Sequence, residues 1–406
     1  MKIWLINHYA VPPQYYPLAR PSLFAKNLIK MGHNVTIIAA STVHNSDCQN
    51  LIEDGSRVKH ITEDGISYVL INCKAYKGNG KDRVINILQF AKRLTGILNA
   101  MEKPDAILAT SFDPLTCWKG VKYAKKKGIK IVAEIADLWP ETLVAYNGVN
   151  TTNPIVKYLR RIEKKIYTKA DRIIFTMEGA YEYIIEQGWE NEIPRSKVFF
   201  INNGIDTEEF EFNKEHYQIE DPDLVDQSVF KVIYAGAIRK VNNLSLLLDA
   251  AKLLISKPVK FLIWGDGDEL DILKKRIQEE NISNVVLKGR VQKKYVPYIV
   301  SNADLNILLG KTESIFRFGI SPNKMFDYFA SGKPQLVTFD AKYNPVDKFN
   351  AGLTLKETSS TKISEAILEF LNMSEDKYRE MCDNAHDAAA SYNFKELTGN
   401  LIKILS

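Results

Sequence analysis

Phe230–Gly236 reads FKVIYAG, an apolar run of strand length that stops on glycine, and its position decides the fold. It follows an acidic stretch, roughly Glu208 to Gln227, that keeps neither a helical nor a strand period. Before that stretch, KIWLIN, NVTIIAA, ISYVLIN, AILAT, IKIVAEI, RIIFT and VFFIN are short and mostly apolar, as parallel strands covered on both faces are. Helical patterns such as PSLFAKNLIKMG, VINILQFAKRLTGILNAM and LTCWKGVKYAKKKG separate most of them. From FKVIYAG onward the alternation starts again, with VKFLIWG, NVVLKG, DLNILLG, QLVTF and AGLTL as strands and LSLLLDAAKLL and LDILKKRIQEE as helices. Two such runs predict two α/β domains, each a doubly wound Rossmann-like sheet, facing across a cleft. The expected boundaries are a first domain at 1–206, a linker at 207–228, a second domain at 229–392, and a C-terminal helix at 393–406. The period of that last helix leaves open whether it crosses back to the first domain.

A chain of 406 residues with 45% hydrophobic content can bury two cores. Cys48, Cys73, Cys117 and Cys382 have neither disulfide-framework nor zinc-ligand spacing, which fits a reducing compartment. The apolar run Ile3–Ile6 is too short for the core of a signal peptide, and no run reaches the length of a membrane span. A cytoplasmic protein without a transmembrane anchor is therefore expected. Charge is uneven: residues 1–200 carry 28 Lys+Arg against 19 Asp+Glu, whereas the remainder is acidic on balance. Much of the basic excess lies in VKYAKKKGIK (121–130) and NPIVKYLRRIEKKIYTKADR (153–172). The second has apolar residues at helical period among its lysines and arginines, so it reads as a basic amphipathic helix. Either it is a surface helix with a solvated face, or it is drawn to anionic lipid head groups or a phosphorylated partner.

The most informative motif is FGISPNKMFDYFASGKP, Phe318–Pro334. Ser321 fits the N-cap of a helix, Pro322 its first position, and Gly332 its stop. Gly319 and Ile320 then lie just before a helix N-terminus, which suits a phosphate. Lys324 in the first turn opposes the helix dipole unless an anion is present, and Asp327 on the same side can accept two ribose hydroxyls. The alternative is a surface Asp–Lys pair. In VIYAGAIRKVNN the strand ends at Gly236, and Arg239 and Lys240 follow in the loop, either as a second anion site or as solvated cations. Asp266 and Asp268 in WGDGDEL resemble a metal pair, but no further ligand completes an oxygen cage, and Asp268 works as a helix cap; no metal is expected. IADLWPETL places Asp137 at the carboxyl end of a strand as a candidate acid. The long loop NHYAVPPQYYPLARPS offers His8 and Arg20 at another. G-x-S-x-G, Walker, H-E-x-x-H and G-x-G-x-x-G signatures are missing, against hydrolase, kinase, zinc protease and NAD chemistry.

Taken together, SPNKMFDYFASGKP, NNGIDTEEF, the YAG turn, IWGDGDE, LKGRVQKKYVP and ADLWPE resemble the GT-B glycosyltransferases of family 4, in the bacterial branch that builds O-antigen, capsule and exopolysaccharide. The resemblance covers nearly the whole chain. It implies a nucleotide-sugar donor, UDP-linked by expectation, in the second domain, an acceptor in the first, and transfer with retention of configuration. Asp327 matches the second glutamate of the family's Glu, seven residues, Glu motif, and Gly319 stands where the first would be. Asn242 takes the place of the usual lysine, and the family's His-Asp pair appears as Ala136 and Asp137. The diphosphate is expected on Lys324, Arg239, Lys240, Gly236 and the backbone of Gly319, Ile320 and Ser321. The base is expected on the main chain at Arg290 and Val291. Asp137, His8 and Arg20 are the catalytic candidates, with no metal and no cofactor beyond the donor substrate.

The activity expected is that of a hexosyl- or N-acetylhexosaminyl-type transferase acting on a lipid-diphosphate-linked saccharide or growing surface polysaccharide. Segment 153–172 would rest on an anionic membrane as a peripheral contact on its cytoplasmic face, and no nucleic acid is expected as partner. Two rivals stand beside this reading. A UDP-sugar 2-epimerase shares the two-domain plan but needs several acids and histidines, for which only Asp137, Glu141 and His8 are available. A catalytically degenerate partner subunit is motivated by Gly319, Ala136 and Asn242.

Overall fold

The computed structural model describes all residues except 17, 18, 45, 47, 48 and 79, so Cys48 lies outside the described residues. The chain forms two compact units, Met1–Asn202 with Phe394–Ser406, and Asn203–Asn393.

Unit 1 holds strands β1 (Lys2–Ile6), β2 (Asn34–Ala40), β3 (Val58–Glu63), β4 (Ile66–Ile71), β5 (Ala106–Thr110), β6 (Lys130–Ile135), β7 (Arg172–Phe175) and β8 (Val198–Phe200). They form one sheet in the order β3-β4-β2-β1-β5-β6-β7-β8. Its helices are α1 (Ala19–Lys30), α2 (Lys81–Ala100), α3 (Pro114–Lys127), α4 (Glu141–Asn147), α5 (Pro154–Lys169) and α6 (Ala180–Glu186). Every residue of β5 is buried, which is why AILAT carries no alternation. The chain steps from β4 to β5, β5 to β6 and β6 to β7 in one direction, so right-handed crossovers put α2, α3 and α5 on one face, where α2 packs on α3 and α3 on α5. Seven of the strands were expected. The eighth, β3, was not: it is a polar edge strand, antiparallel to β4, joined to it by Asp64 and Gly65 at φ 50° and 76°. Asp-Gly at that offset is the sequence signature of a hairpin, and it was open to reading.

Unit 2 is an all-parallel sheet of β9 (Phe230–Ala235), β10 (Val259–Trp264), β11 (Val285–Gly289), β12 (Leu305–Leu308), β13 (Gln335–Val337) and β14 (Gly352–Thr354), in the order β11-β10-β9-β12-β13-β14. Its helices are α7 (Thr207–His216), α8 (Pro222–Val225), α9 (Leu244–Leu253), α10 (Leu270–Glu279), α11 (Val296–Ser301), α12 (Asn323–Ala330), α13 (Pro345–Phe349), α14 (Ser360–Leu371) and α15 (Glu375–Ser391). The segment read as a linker is helical instead. Asp206 caps α7 by accepting the N–H of Glu209, Glu208 and Glu209 suit its positive end, and Phe210 is buried where α7 packs on α11. Lys288 and Lys260 hold α8 through Asp221 and Asp223. The last helix, α16 (Phe394–Leu405), belongs to unit 1, where it packs on α1 with Phe394 edge-on to Phe24 at 5.3 Å.

Candidate functional site

In unit 2 the candidate residues gather at the carboxyl ends of β9, β10 and β11. The loops after β9 and β10 press backbone to backbone: Gly236 N–H donates to Trp264 O at 3.0 Å and Ile238 N–H to Asp266 O at 2.8 Å. A Cβ on Gly265 would fall 1.8 Å from Gly236 O, and one on Gly267 2.1 Å from Ile238 O, so both positions need glycine. Asn242 donates its Nδ2 to Ala237 O at 2.7 Å, closing the turn that carries Arg239 and Lys240. That tie explains an amide where the resemblance expects a lysine. Arg239, Lys240 and Arg290 all stand exposed on these loops, with Val291 half-buried beside Arg290. Asp266 spends Oδ1 on the N–H of Gly267, and α10 begins without a side-chain cap, so Asp268 does not serve as one.

Lys324 reaches the same edge from α12. Its Nζ donates to Tyr234 Oη at 2.9 Å and sits 4.4 Å from the centre of that ring, while Tyr234 Oη donates to Ala237 O. A Cβ on Gly236 would lie 3.0 Å from the ammonium. Among the described residues no carboxylate pairs with Lys324, and burial pushes its pKa down to about 8. The partners of the ammonium are thus a phenol and the face of its ring, neither of which balances its charge. Asp327 lies one turn on, 6% exposed, and accepts Lys293 Nζ at 2.5 Å, whereas the Lys293 side chain is 62% exposed. Neither Lys293 nor Tyr234 was singled out in the sequence: the first is one lysine of a Lys-Lys pair, the second one apolar-looking residue in a strand.

The turn before α12 differs from expectation in two respects. Pro322 occupies the cap position and offers no side-chain bond, while Ser321 Oγ accepts the N–H of Asn203 at 3.0 Å and Ser321 O accepts its Nδ2 at 2.8 Å. Ser321 therefore ties the NNGID stretch to α12. Gly319 adopts φ 111° and ψ 172°, a conformation open to glycine alone, and its N–H already donates to Phe316 O at 3.1 Å, so that amide is not available to a phosphate. Ile320 beside it is buried.

In unit 1 two of the three catalytic candidates are buried and hydrogen-bonded. His8 is 1% exposed; its Nε2 meets Asn86 Oδ1 at 2.6 Å and its Nδ1 faces Asp113 Oδ2 at 3.6 Å, and burial lowers its pKa despite the aspartate. Asp113 in turn caps α3 through Thr116 N–H. Arg20 is 8% exposed and donates to Glu134 Oε1, Asn202 O and Ile201 O, stapling α1 to β6 and to the end of β8. Both side chains position the carboxyl edge of the sheet from inside it. Asp137 alone of the three is exposed, just past the end of β6.

Two family models match the chain, Glycosyltransferase Family 4 over residues 23–209 and Glycosyl transferases group 1 over residues 218–388. The probable glycosyltransferase WbjE of Pseudomonas aeruginosa is 26% identical over 214 residues, which is 52% of each chain, so the match spans about half of that relative. Among solved structures, sucrose-phosphate synthase from Thermosynechococcus elongatus aligns over 99% of this chain and 98% of its own, with TM-score 0.72 and 15% identity. A trehalose-6-phosphate protein from E. coli bound with UDP-2-fluoro glucose aligns over 100% and 99%, with TM-score 0.73 and 12% identity. HepE from Anabaena, in complex with UDP, aligns over 100% and 99%, with TM-score 0.64 and 13% identity. At these identities the structures speak for the fold.

Proposed function

The chain belongs to the family 4 glycosyltransferases of GT-B fold, and from that premise we propose that it moves a hexosyl-type residue from a UDP-sugar to a lipid-linked or growing surface-polysaccharide acceptor, with retention of configuration. The observation that carries this reading is Lys324, a desolvated ammonium held against Tyr234 and Gly236 without a carboxylate partner among the described residues. A donor diphosphate completes it. Asp327 then takes the ribose hydroxyls, and Lys293, which covers its carboxylate, is displaced or turns toward a phosphate. As the glycosidic bond breaks, negative charge grows on the diphosphate, and Lys324, Arg239 and Lys240 stabilise it; no side chain need form a bond to the sugar. The departing oxygen accepts the acceptor's proton on the same face. No described helix is long and apolar enough to cross a membrane, so a lipid-linked acceptor would be met by peripheral contact, with the basic face of α5 against anionic lipid.

Titration calorimetry with a panel of nucleoside diphosphates and nucleotide sugars tests the donor site. The expected result is binding of a uridine nucleotide that weakens by about 10- to 100-fold in Asp327→Ala. Failure of every nucleotide to bind would overturn the reading. One observation favours a second reading, a subunit that holds the donor without transferring: Gly319 is built in a glycine-only conformation where the family has a glutamate. Tight binding of a UDP-sugar with no UDP released in the presence of lipid-linked acceptor would support that alternative.

A further inference from the structure

Lys324 can meet a phosphate only as an ammonium, yet its surroundings favour the neutral amine. It stands half-buried in the first turn of α12. Of the other titratable groups on α12 and at the carboxyl end of β9, Tyr234 and Tyr328 are phenols that burial holds uncharged, and Asp327 has its Oδ2 taken by Lys293. Burial therefore acts on Lys324 unopposed and brings its pKa down to about 8. At pH 7 it is a free amine in roughly one molecule in ten, against fewer than about one in a thousand for an ordinary lysine.

Geometry decides what that amine can do. Tyr234 commits its O–H to Ala237 O at 2.7 Å, so its oxygen can only accept, and it accepts from Lys324 Nζ at 2.9 Å. The lone pair of neutral Lys324 is thus not consumed by the phenol. Beside the nitrogen is Gly236, where a Cβ would stand 3.0 Å from it. Gly236 opens the loop that carries Arg239 and Lys240, both exposed and neither paired with a carboxylate among the described residues.

We propose that Lys324 is an acylation site, modified by acyl phosphates whose phosphate group is held by Arg239 and Lys240. The Nζ lone pair attacks the acyl carbon, and the bond from that carbon to the phosphate oxygen breaks. Inorganic phosphate leaves with the electron pair and takes up one proton from the nitrogen, so the product is a neutral amide. A desolvated lysine is the form of the residue that acts as a nucleophile. An acyl phosphate suits this edge better than a neutral ester, because its anionic leaving group is bonded directly to the carbon it delivers. The consequence of the modification, though not its chemistry, rests on the donor reading. Amide formation removes the cation that meets the diphosphate and fills the space beside Gly236, which ties donor binding to the supply of acyl phosphate.

Incubation of the full chain with acetyl phosphate, followed by site-resolved mass spectrometry, tests this. At pH 7 Lys324 is expected to gain acetyl about tenfold faster than Lys274 and Lys275, whose side chains are 54% and 72% exposed. Its rate should climb about tenfold per pH unit and level off near pH 8, whereas theirs climbs on past about pH 9. Arg239→Ala/Lys240→Ala should slow acetylation of Lys324 by acetyl phosphate about tenfold and leave its acetylation by a neutral N-hydroxysuccinimide ester unchanged. A Lys324 rate no greater than that of the exposed lysines, or one without a plateau, would overturn the site. The same response to both reagents in the double variant would overturn the role given to the two cations. UDP affinity is read separately by calorimetry on acetylated and untreated protein, and a loss of about tenfold or more is expected on acetylation. Unimpaired binding by protein acetylated at Lys324 would overturn the regulatory consequence. If the untreated chain binds no nucleotide while Lys324 still reacts first, the donor reading falls and the acylation site stands.

Discussion

At the scale of single residues, Gly236 and Lys324 make the donor reading testable without touching the fold. An alanine at 236 would place its Cβ 3.0 Å from the Lys324 ammonium and 3.1 Å from its Cε, both at the free end of a flexible side chain. The lysine can move aside at little cost to stability but then leaves its place on Tyr234. Gly236→Ala should therefore melt within a degree or two of the unaltered protein and bind UDP about tenfold more weakly, a difference of about 1.4 kcal/mol. The pH profile identifies the group. Lys324 titrates at about 8 in the free protein, and a bound diphosphate must raise that value, so affinity is full below pH 8 and falls as pH rises through it. Calorimetry across this range should give a decline that Lys324→Met abolishes; a decline that persists in Lys324→Met would assign the proton elsewhere.

At the scale of elements, the donor edge depends on how closely the loops after β9 and β10 approach. Gly267→Ala would set a Cβ 2.1 Å from Ile238 O, a backbone atom that cannot turn away, and should destabilise unit 2 by about 3 kcal/mol or more, read as a lower denaturant midpoint with the unit 1 transition unmoved. Much of this architecture was legible, because buried parallel strands leave unbroken apolar runs and glycines mark their ends. What escaped the reading did so for identifiable reasons. β3 has three exposed and three half-buried side chains and none buried, so its sequence, VKHITE, shows little apolar signal. α7 is mostly polar, and its start lay in the Asp-Thr-Glu-Glu capping pattern rather than in hydrophobic period. Lys293 is brought to Asp327 by tertiary folding across 34 positions, which no local pattern encodes. His8 and Arg20 were placed at the correct strand end, but sequence position does not tell whether a polar side chain turns outward to a substrate or inward to Asn86 and Glu134.

At the scale of the whole molecule, the two units differ in how pH loads them, and Glu163 makes the difference measurable. It is buried on α5 beneath the basic face, accepting hydrogen bonds from Tyr167 Oη and Tyr183 Oη, with Arg160 of the same helix held by Glu141. Burial raises its pKa from the usual carboxylate range to about 8, against the pull of both phenols and of Arg160. A carboxyl whose folded pKa lies above its unfolded one keeps its proton while the unfolded chain loses it, so its contribution is fully present below about pH 4.5 and drains away as pH climbs to 8. Two other groups of unit 1, buried His8 and half-buried Lys197, act outside the upper part of that range. His8, with a lowered pKa, shapes stability below pH 6.5, and Lys197, lowered to about 8, shapes it above pH 8. Between pH 6.5 and 8 Glu163 is left as the main buried load on unit 1, costing about 2 kcal/mol across the interval. Calorimetric melting should show the unit 1 transition moving down over that range while the unit 2 transition holds. Glu163→Gln, which keeps an oxygen to accept from both phenols, should flatten the unit 1 slope and gain more stability at pH 8 than at pH 6.5. Equal slopes in the two proteins would mean that Glu163 is already ionised in the fold, and that Arg160 offsets its burial more fully than the two tyrosines and the distance between the charges imply.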